Sequence, residues 1–150
     1  KLLLHSMDQV DAERKTSLGP ILHDLAERLK TRSIVLLFSD LFDNVDALIA
    51  GMKHFRHRRH ELVVFHVLDP AEIEFPFKRV TMFKGLEQLP EVLVEPRGLR
   101  KAYLEEFGRY LQNVKRSCRD QHIDYVLTRT DQSLDIVLST YLSSRSARVA

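Results

Sequence analysis

The sequence predicts a layered α/β fold, in which a mostly parallel sheet is flanked by helices and an antiparallel hairpin interrupts the alternating pattern. Short apolar runs alternate with segments of helical periodicity along the chain. The two clearest of these runs do not alternate between apolar and polar residues, which is typical of strands buried on both faces of a parallel sheet. The length of 150 residues is that of one domain. We therefore expect a single Rossmann-like domain over residues 1–150.

The first two helices are predicted from apolar residues that recur every three or four positions. The first covers residues 17–30, with Thr16 or Ser17 as its N-cap. The second covers residues 44–58. Their apolar faces consist of Leu18, Ile21, Leu22, Leu25 and Leu29 in the first helix, and of Val45, Leu48, Ile49, Met52 and Phe55 in the second.

Three apolar runs predict strands at residues 34–38, 62–67 and 123–128. The run from Ile34 to Phe38 contains no polar residue, so we expect this strand to be parallel to its neighbours and central in the sheet. The strand at 62–67 is expected to be buried in the same way.

Residues 72–95 break the alternation of helix and strand. Two short β runs at 80–83 and 92–94 are joined by a polar segment, which predicts a hairpin at one edge of the sheet. A long helix is then expected over residues 98–121, and a helix of about ten residues from Asp131 onward. The apolar stripe of the long helix consists of Leu99, Tyr103, Phe107, Leu111, Val114 and Cys118.

The composition excludes several classes of protein. The chain has 23 Lys and Arg against 21 Asp and Glu, a net charge too small to indicate a polyanion partner. Its one cysteine, Cys118, rules out an internal disulfide and a Cys-rich metal site. The apolar runs fall far short of the ~20 residues that span a bilayer, and no signal peptide is evident, so a cytoplasmic location is expected. Because the chain begins with Lys1, we expect an incomplete domain.

Several strings along the chain resemble a known family. They are IVLLFSD at 34–40, LVVFHVLDPAEIEFPF at 62–77, Leu99-Arg100 with Tyr103, and IDYVLTRTD at 123–131 followed by Leu138, Tyr141-Leu142 and Arg145. Together they resemble the C-terminal section of domain of unknown function 58, a bacterial family similar to von Willebrand factor A domains. The resemblance covers residues 16 to 145 and implies the right-hand part of a von Willebrand A sheet.

The resemblance also implies a metal site in the intact domain. Many such domains bind Mg²⁺ through an Asp-x-Ser-x-Ser loop, a threonine in a second loop and an aspartate in a third, which suits the oxygen ligands that Mg²⁺ prefers. Thr16 and Asp40 lie where the threonine and the third-loop aspartate would be. The first loop has no counterpart in the sequence. We therefore expect a remnant of the site, with no cofactor bound by this chain alone.

Three acidic residues follow predicted strands and are candidates for a site. Asp40 is a candidate metal or ligand contact at the carboxyl edge of the sheet, or alternatively a cap for the turn at 41–43. Asp40 and Asp43 are three residues apart, which is the wrong spacing for an Asp-x-Asp phosphatase. Asp69 and Glu72 are candidates for partner binding at the same edge, or alternatively belong to the turn chemistry of Asp-Pro.

Other candidates are better explained by local structure. Asp131, Ser133 and Asp135 have a metal-loop spacing, but Asp131 is expected to cap the last helix and Asp135 to lie in its first turns. The histidines at 54, 57 and 60 could share Zn²⁺ on one helix face, but the arginines among them favour a basic helix end or a phosphate-binding patch. Cys118 is expected in the core.

The leading functional hypothesis is a non-enzymatic protein-interaction module. The resemblance implies a partner among MoxR-type AAA+ ATPases, and an assembly or chaperone-like role. One alternative is a metal-dependent hydrolase that uses Asp40, and another is a weak phosphate or nucleic-acid binder through residues 54–60. In the fold implied by the resemblance, the strand that carries the first metal loop lies beside residues 34–38. Because this strand has no counterpart in the sequence, a homo-oligomer through that edge is also expected, unless residues 1–10 fold back and cover it.

Overall fold

The computed structural model describes residues 17–84 and 92–149. In chain order its elements are α1 (Leu18–Arg28), β1 (Ile34–Ser39), α2 (Val45–His57), β2 (Glu61–Leu68), α3 (Pro70–Glu74), β3 (Thr81–Phe83), β4 (Val92–Val94), α4 (Pro96–Asp120), β5 (Asp124–Arg129) and α5 (Leu134–Val149).

The main sheet has three parallel strands in the order β1-β2-β5. The central strand β2 is buried along nearly its whole length, as its continuous apolar run predicts. Helices lie between successive parallel strands, so the Rossmann-like architecture expected from the sequence is confirmed.

Two apolar clusters lie on the two faces of the central strand β2. On one face, Leu62 and Val64 of β2 pack with Met52 of α2 and Val114 of α4, and α1 packs against α2. On the other face, Val63 and Phe65 of β2 pack with α5. Successive residues of β2 therefore enter opposite clusters, which follows from the two-residue period of a strand.

The prediction that residues 34–38 form a central strand is wrong. In β1, Val35 and Leu37 face the helices, whereas Ile34, Leu36 and Phe38 on the other face are 59%, 51% and 47% exposed. Within the described part of the chain, β1 pairs with β2 alone and is an edge strand. An unbroken apolar run shows that both faces of a strand are apolar, but it does not show that both faces are covered.

The short strands β3 and β4 pair antiparallel, with Met82 opposite Leu93. They form a sheet of their own and do not extend the three-stranded sheet, so the expected pairing is present but its expected place at the sheet edge is not. Most of the connecting segment, residues 85–91, lies outside the described residues.

The last helix begins later and is longer than expected. It starts at Leu134 and has 16 residues, and Asp131 does not cap it because the Asp131 carboxylate pairs with Arg129. The helix is held to the sheet by Arg145, whose guanidinium group lies 2.5 Å from the carboxylate of Glu61. Tyr141 donates a hydrogen bond to Asp124 at the start of β5. Tyr141 and Arg145, two of the residues behind the family resemblance, thus fix α5 to the start of two strands.

The N-terminus of α1 is capped from a distant part of the chain. Ser17 occupies the N-cap position but makes no capping bond, and Thr16 lies outside the described residues. Instead, the Leu18 N–H donates to the Asp43 carboxylate at 2.5 Å. Hydrogen bonds from the N–H groups of Asn44 and, more weakly, Leu18 hold the pKa of Asp43 below its usual value. The start of α1 is therefore tied to the loop that follows β1.

Two glycines allow α1 and α2 to approach closely. A Cβ atom added at Gly51 would lie 2.7 Å from the carbonyl oxygen of Gly19, and one added at Gly19 would lie 2.6 Å from the carbonyl oxygen of Ala47. Both distances are shorter than any ordinary contact, and the opposing atoms belong to the backbone. The contact between the two helices thus requires the absence of side chains at these positions.

We predict that Gly51→Ala destabilises the protein by about 1–3 kcal/mol, the usual cost of overpacking, although alanine favours helices. The matched control is Gly108→Ala in α4, where an added Cβ meets no atom within 4 Å. That variant should be stabilised by up to about 1 kcal/mol. Urea unfolding measures both changes, and equal stabilisation by the two substitutions would contradict the close contact.

Candidate functional site

The carboxyl ends of β1, β2 and β5 meet at one edge of the sheet, where ligands commonly bind in α/β proteins. Three connecting segments leave this edge: residues 40–44 after β1, residues 69–80 after β2 and residues 130–133 after β5. Each contains residues that the sequence analysis marked as candidates.

In the loop after β1, Asp40 shapes the turn. Its exposed carboxylate accepts a hydrogen bond from the Phe42 N–H at 3.1 Å. Leu41 is fully buried and has a φ of 57°, which is uncommon for a residue other than glycine. The hydroxyl of Tyr110 in α4 donates to the Leu41 carbonyl at 2.7 Å. This geometry corresponds to the turn-cap alternative for Asp40.

His66 in the central strand is a buried polar residue that links this loop to β5. Its Nε2 lies 2.8 Å from the carbonyl oxygen of Asp40, and its Nδ1 lies 2.8 Å from the hydroxyl of Tyr125. Because a carbonyl only accepts, Nε2 carries the proton, and Nδ1 accepts from the Tyr125 O–H. Burial lowers the pKa of His66 and raises that of Tyr125 to about 12, so the pair is neutral.

His66 was not among the candidate residues predicted from the sequence, although a signal was present. It is a histidine inside an otherwise apolar strand, and a buried polar side chain requires a hydrogen-bonding partner. The partner could not be found in the sequence because Tyr125 is 59 positions away along the chain.

In the segment after β2, Asp69 and Glu72 form a capping box around α3. The Asp69 carboxylate accepts from the Ala71 N–H at 2.8 Å, and the Glu72 carboxylate accepts from the Asp69 N–H at 2.7 Å. The second oxygen of Asp69 accepts from the Thr130 hydroxyl at 2.9 Å. The two candidate partner-binding residues therefore order this edge and join the loops after β2 and β5.

Helix α4 holds the same segment from the other side. Arg100 donates to the carbonyl oxygens of Glu74 and Phe75, and the Tyr103 hydroxyl donates to that of Glu72. Phe75 has a φ of 45° and is buried, with its ring 4.6 Å from that of Tyr103. The strings that carry the family resemblance, 68–77 and 99–103, are thus in direct contact.

In the loop after β5, Arg129 pairs with two carboxylates. Its guanidinium group lies 2.9 Å from Asp131 and 3.0 Å from Glu74. The hydrogen bond from Arg129 lowers the pKa of Asp131. Ser133 donates a short hydrogen bond to Asp135, which lies in the first turn of α5. Asp131 and Asp135 therefore have separate local partners.

The described residues do not by themselves provide a set of ligands for Mg²⁺ around Asp40. Within residues 17–84 and 92–149, no group of three or more His, Cys, Asp or Glu side chains is arranged to hold a metal ion. Thr16, the other candidate ligand, lies outside these ranges, although its neighbour Ser17 is 3.4 Å from Asp43 beside the Asp40 loop. The expected metal remnant stays a prediction.

The histidines of the 54–60 segment do not converge. His54 lies 2.7 Å from Glu27 of α1, which also pairs with Arg58. His57 is exposed at the end of α2, and His60 lies beyond it, buried, where its Nδ1 accepts from the Ser33 N–H. This is a basic helix end, as the sequence favours.

Cys118 is fully buried among apolar residues, which confirms its place in the core. Burial raises the pKa of its thiol to about 12, so the reactive thiolate form is strongly disfavoured at neutral pH.

Comparison with known proteins gives one match. The model of the family described as "Protein of unknown function DUF58" matches residues 1–110. The chain belongs to this family. The match includes β1, β2 and the contact between residues 68–77 and α4, and it ends before β5 and α5. Neither the curated proteins nor the solved structures contain a match. Within the described residues, no helix combines the length and apolar character needed to cross a membrane.

We predict that His66 makes stability depend on pH. Its pKa is lowered in the folded protein, so the unfolded chain binds the proton more readily. Its contribution is therefore present above the unfolded pKa of about 6.5 and is lost as the pH falls through the lower folded pKa. The groups that face His66 are Asp40, Tyr110 and Tyr125, none of which introduces a positive charge.

The test compares urea unfolding of the parent and of His66→Phe between pH 7.5 and pH 5. The variant should lose about 1–3 kcal/mol at neutral pH, because the Asp40 carbonyl and the partly buried Tyr125 hydroxyl lose their hydrogen bonds to His66. Its free energy of unfolding should also fall less on acidification than that of the parent. His57→Ala, at an exposed position, should keep the parent's pH dependence. A pH dependence that is the same in His66→Phe and the parent would exclude His66 as its source.

Proposed function

We propose that this chain is a non-enzymatic protein-interaction module that uses β1 as its contact surface. The observation that carries the proposal is the exposed apolar face of β1, formed by Ile34, Leu36 and Phe38. Isolated apolar side chains are normal on a protein surface, but these three lie in one row on one strand. Burying such a row contributes ~25 cal/mol for each Å² removed from water.

The backbone of β1 adds a second attraction. In the described part of the chain, β1 has one sheet neighbour, so its outer N–H and C=O groups have no strand partner there. The strand contains no lysine, proline or glycine, the residues that commonly block edge pairing. An apolar face beside an open edge favours the addition of a strand from another chain.

The more specific assignments of domain type, cellular location and partner rest on the family resemblance. We propose that the sheet is of the von Willebrand factor A type, that the chain is the C-terminal part of that domain, and that it acts in the bacterial cytoplasm. We further propose that the physiological partner is an AAA+ ATPase of the MoxR type and that the pair carries out assembly or chaperone-like work. Asp69 and Glu72 are proposed as polar partner contacts, since Asp69 is exposed at the carboxyl edge.

The two alternative functions have less support. A hydrolase would require Asp40 to act on a substrate, but its carboxylate accepts a hydrogen bond from the Phe42 N–H of the turn. In the described residues, no group of three or more His, Cys, Asp or Glu side chains is arranged to hold a metal ion for such a reaction. A phosphate binder would use the basic end of α2, where Glu27 already pairs with His54 and Arg58. We therefore propose no enzymatic role.

We predict that the chain self-associates at micromolar concentration through β1, because a second copy offers the same open edge and apolar face. Light scattering should show a dimer, and Leu36→Lys should shift it to a monomer by placing a charge in the interface. The matched control is Leu93→Lys on β4, where the parent side chain is 66% exposed and lies in the other sheet. A monomer at every concentration, with slow amide exchange at residues 34–38, would show that the edge is covered within the chain and would refute the proposal.

We also predict no turnover of a phosphomonoester such as p-nitrophenyl phosphate, with or without added Mg²⁺. Asp40→Asn should match the parent at the background rate, since the carboxylate is assigned to the turn. Activity above background that disappears in Asp40→Asn would instead support the hydrolase alternative.

A further inference from the structure

A groove lies at the edge of the sheet opposite β1. It has a volume of about 1110 Å³ and runs along the outer side of β5, between α4 and α5. In the described residues β5 has one strand neighbour, β2, so its other side is open. This groove is separate from the β1 surface of the proposed function.

The floor of the groove is the edge of β5 itself. The Thr130 N–H donates to Leu68 on the β2 side, whereas the Arg129 N–H points away from β2 to the side chain of Gln132. Since backbone groups alternate along a strand, Tyr125 and Leu127 present their N–H and C=O groups outward with Arg129. The open edge therefore offers a short row of backbone donors and acceptors to a further strand.

The two walls differ in chemistry. The α4 wall carries Lys115, Arg116 and Arg119, and neither Lys115 nor Arg116 forms an ion pair or a hydrogen bond within the described residues. The α5 wall contains the apolar residues Val137 and Ile136, of which Ile136 is 62% exposed, and later in the helix it contains Thr140, Ser144 and Arg148. The acidic residues of the lining are already neutralised, since Asp124 pairs with Arg148 and Asp131 with Arg129.

Side chains of an added strand would point alternately to these two walls. Those of β5 already do so, because Tyr125 packs in the cluster on the α4 side and Val126 in the cluster on the α5 side. We propose that β5 binds an extended segment of a partner protein in which acidic residues alternate with small apolar ones, as a fourth strand of the main sheet. The acidic side chains meet the basic wall, and the apolar side chains meet Ile136 and Val137.

The charges alone would also attract a polyanion such as single-stranded nucleic acid. A polyanion would use the α4 wall but leave the backbone edge of β5 and the exposed Ile136 without partners. An added strand in which acidic and apolar residues alternate would contact the basic α4 wall, the backbone edge of β5 and the exposed Ile136. Its length would be close to the six residues of β5. Strand addition is therefore the better fit to the groove.

The test uses the full 150-residue chain and a fluorescent peptide with a core of alternating Glu and Val, followed by fluorescence anisotropy. A peptide of the same composition with the Glu and Val residues in two blocks should bind about tenfold more weakly or worse, since it cannot match both walls. The double variant Lys115→Glu with Arg116→Glu should show a similar loss while keeping the parent's circular dichroism spectrum and melting temperature. Equal binding of the alternating and block peptides would overturn the proposal.

N-methylated peptides test the main-chain pairing directly. Alternate residues of an added strand direct their N–H groups to β5 or away from it, so methylation of one set, Glu or Val, should abolish binding and methylation of the other should be tolerated. Identical behaviour of the two methylated peptides, or displacement of the parent peptide by oligothymidylate at equal concentration, would show that main-chain pairing is not the basis of binding. The Leu36→Lys variant should bind the alternating peptide like the parent, which keeps this test independent of the β1 surface.

Discussion

The central strand β2 is the constraint on which the remaining structure depends. Its residues alternate between two apolar clusters, so the helices on both sides of the sheet pack against the same strand. The one polar side chain among its fully buried residues, His66, is satisfied at both nitrogens. These bonds join the loop after β1 to β5 across the middle of the sheet. A buried polar group that lost such partners would cost about 1–3 kcal/mol, a large part of the stability of a small domain.

Hydrogen bonds also hold together the segments at the carboxyl edge of the sheet. Its carboxylates, carbonyls and guanidinium groups mostly bond to one another: the capping box at Asp69 and Glu72 is tied to β5 through Thr130, and Arg100 and Tyr103 of α4 bind the carbonyls of the segment 72–75. In a typical catalytic site, by contrast, polar groups are positioned toward a substrate. The residues that resemble the family therefore have a structural role at this edge. To bind a partner as well, they would have to use the carboxylate and carbonyl oxygen lone pairs that are not already hydrogen-bonded.

In the described residues, exposed apolar side chains and backbone groups without a strand partner lie instead at the two lateral edges of the three-stranded sheet. Among the described residues, β1 presents an apolar face with an open backbone edge, and β5 presents an open backbone edge between a basic wall and a wall with exposed apolar residues. The two edges differ in charge as well as in shape, so we propose that they bind different partners. Together the two proposals imply a module that binds two chains at once, with β1 and β5 both hydrogen-bonded to β2.

The sequence by itself determined the kinds of element and their order, except for the short helix α3, where it predicted a turn after Asp69. Apolar runs without alternation identified the strands, recurrence every three or four residues identified the helices, and the stripe of α4 placed Cys118 in the core, since these patterns depend on neighbours along the chain. Only the tertiary structure decided that β2 and not β1 is central, that Asp43 caps α1, and that Asp131 pairs with Arg129 instead of capping α5. The same holds for the bond between His66 and Tyr125 and for the groove beside β5. Each of these depends on which distant segments become neighbours or on what covers a face, and a local pattern of residue types contains no information on either.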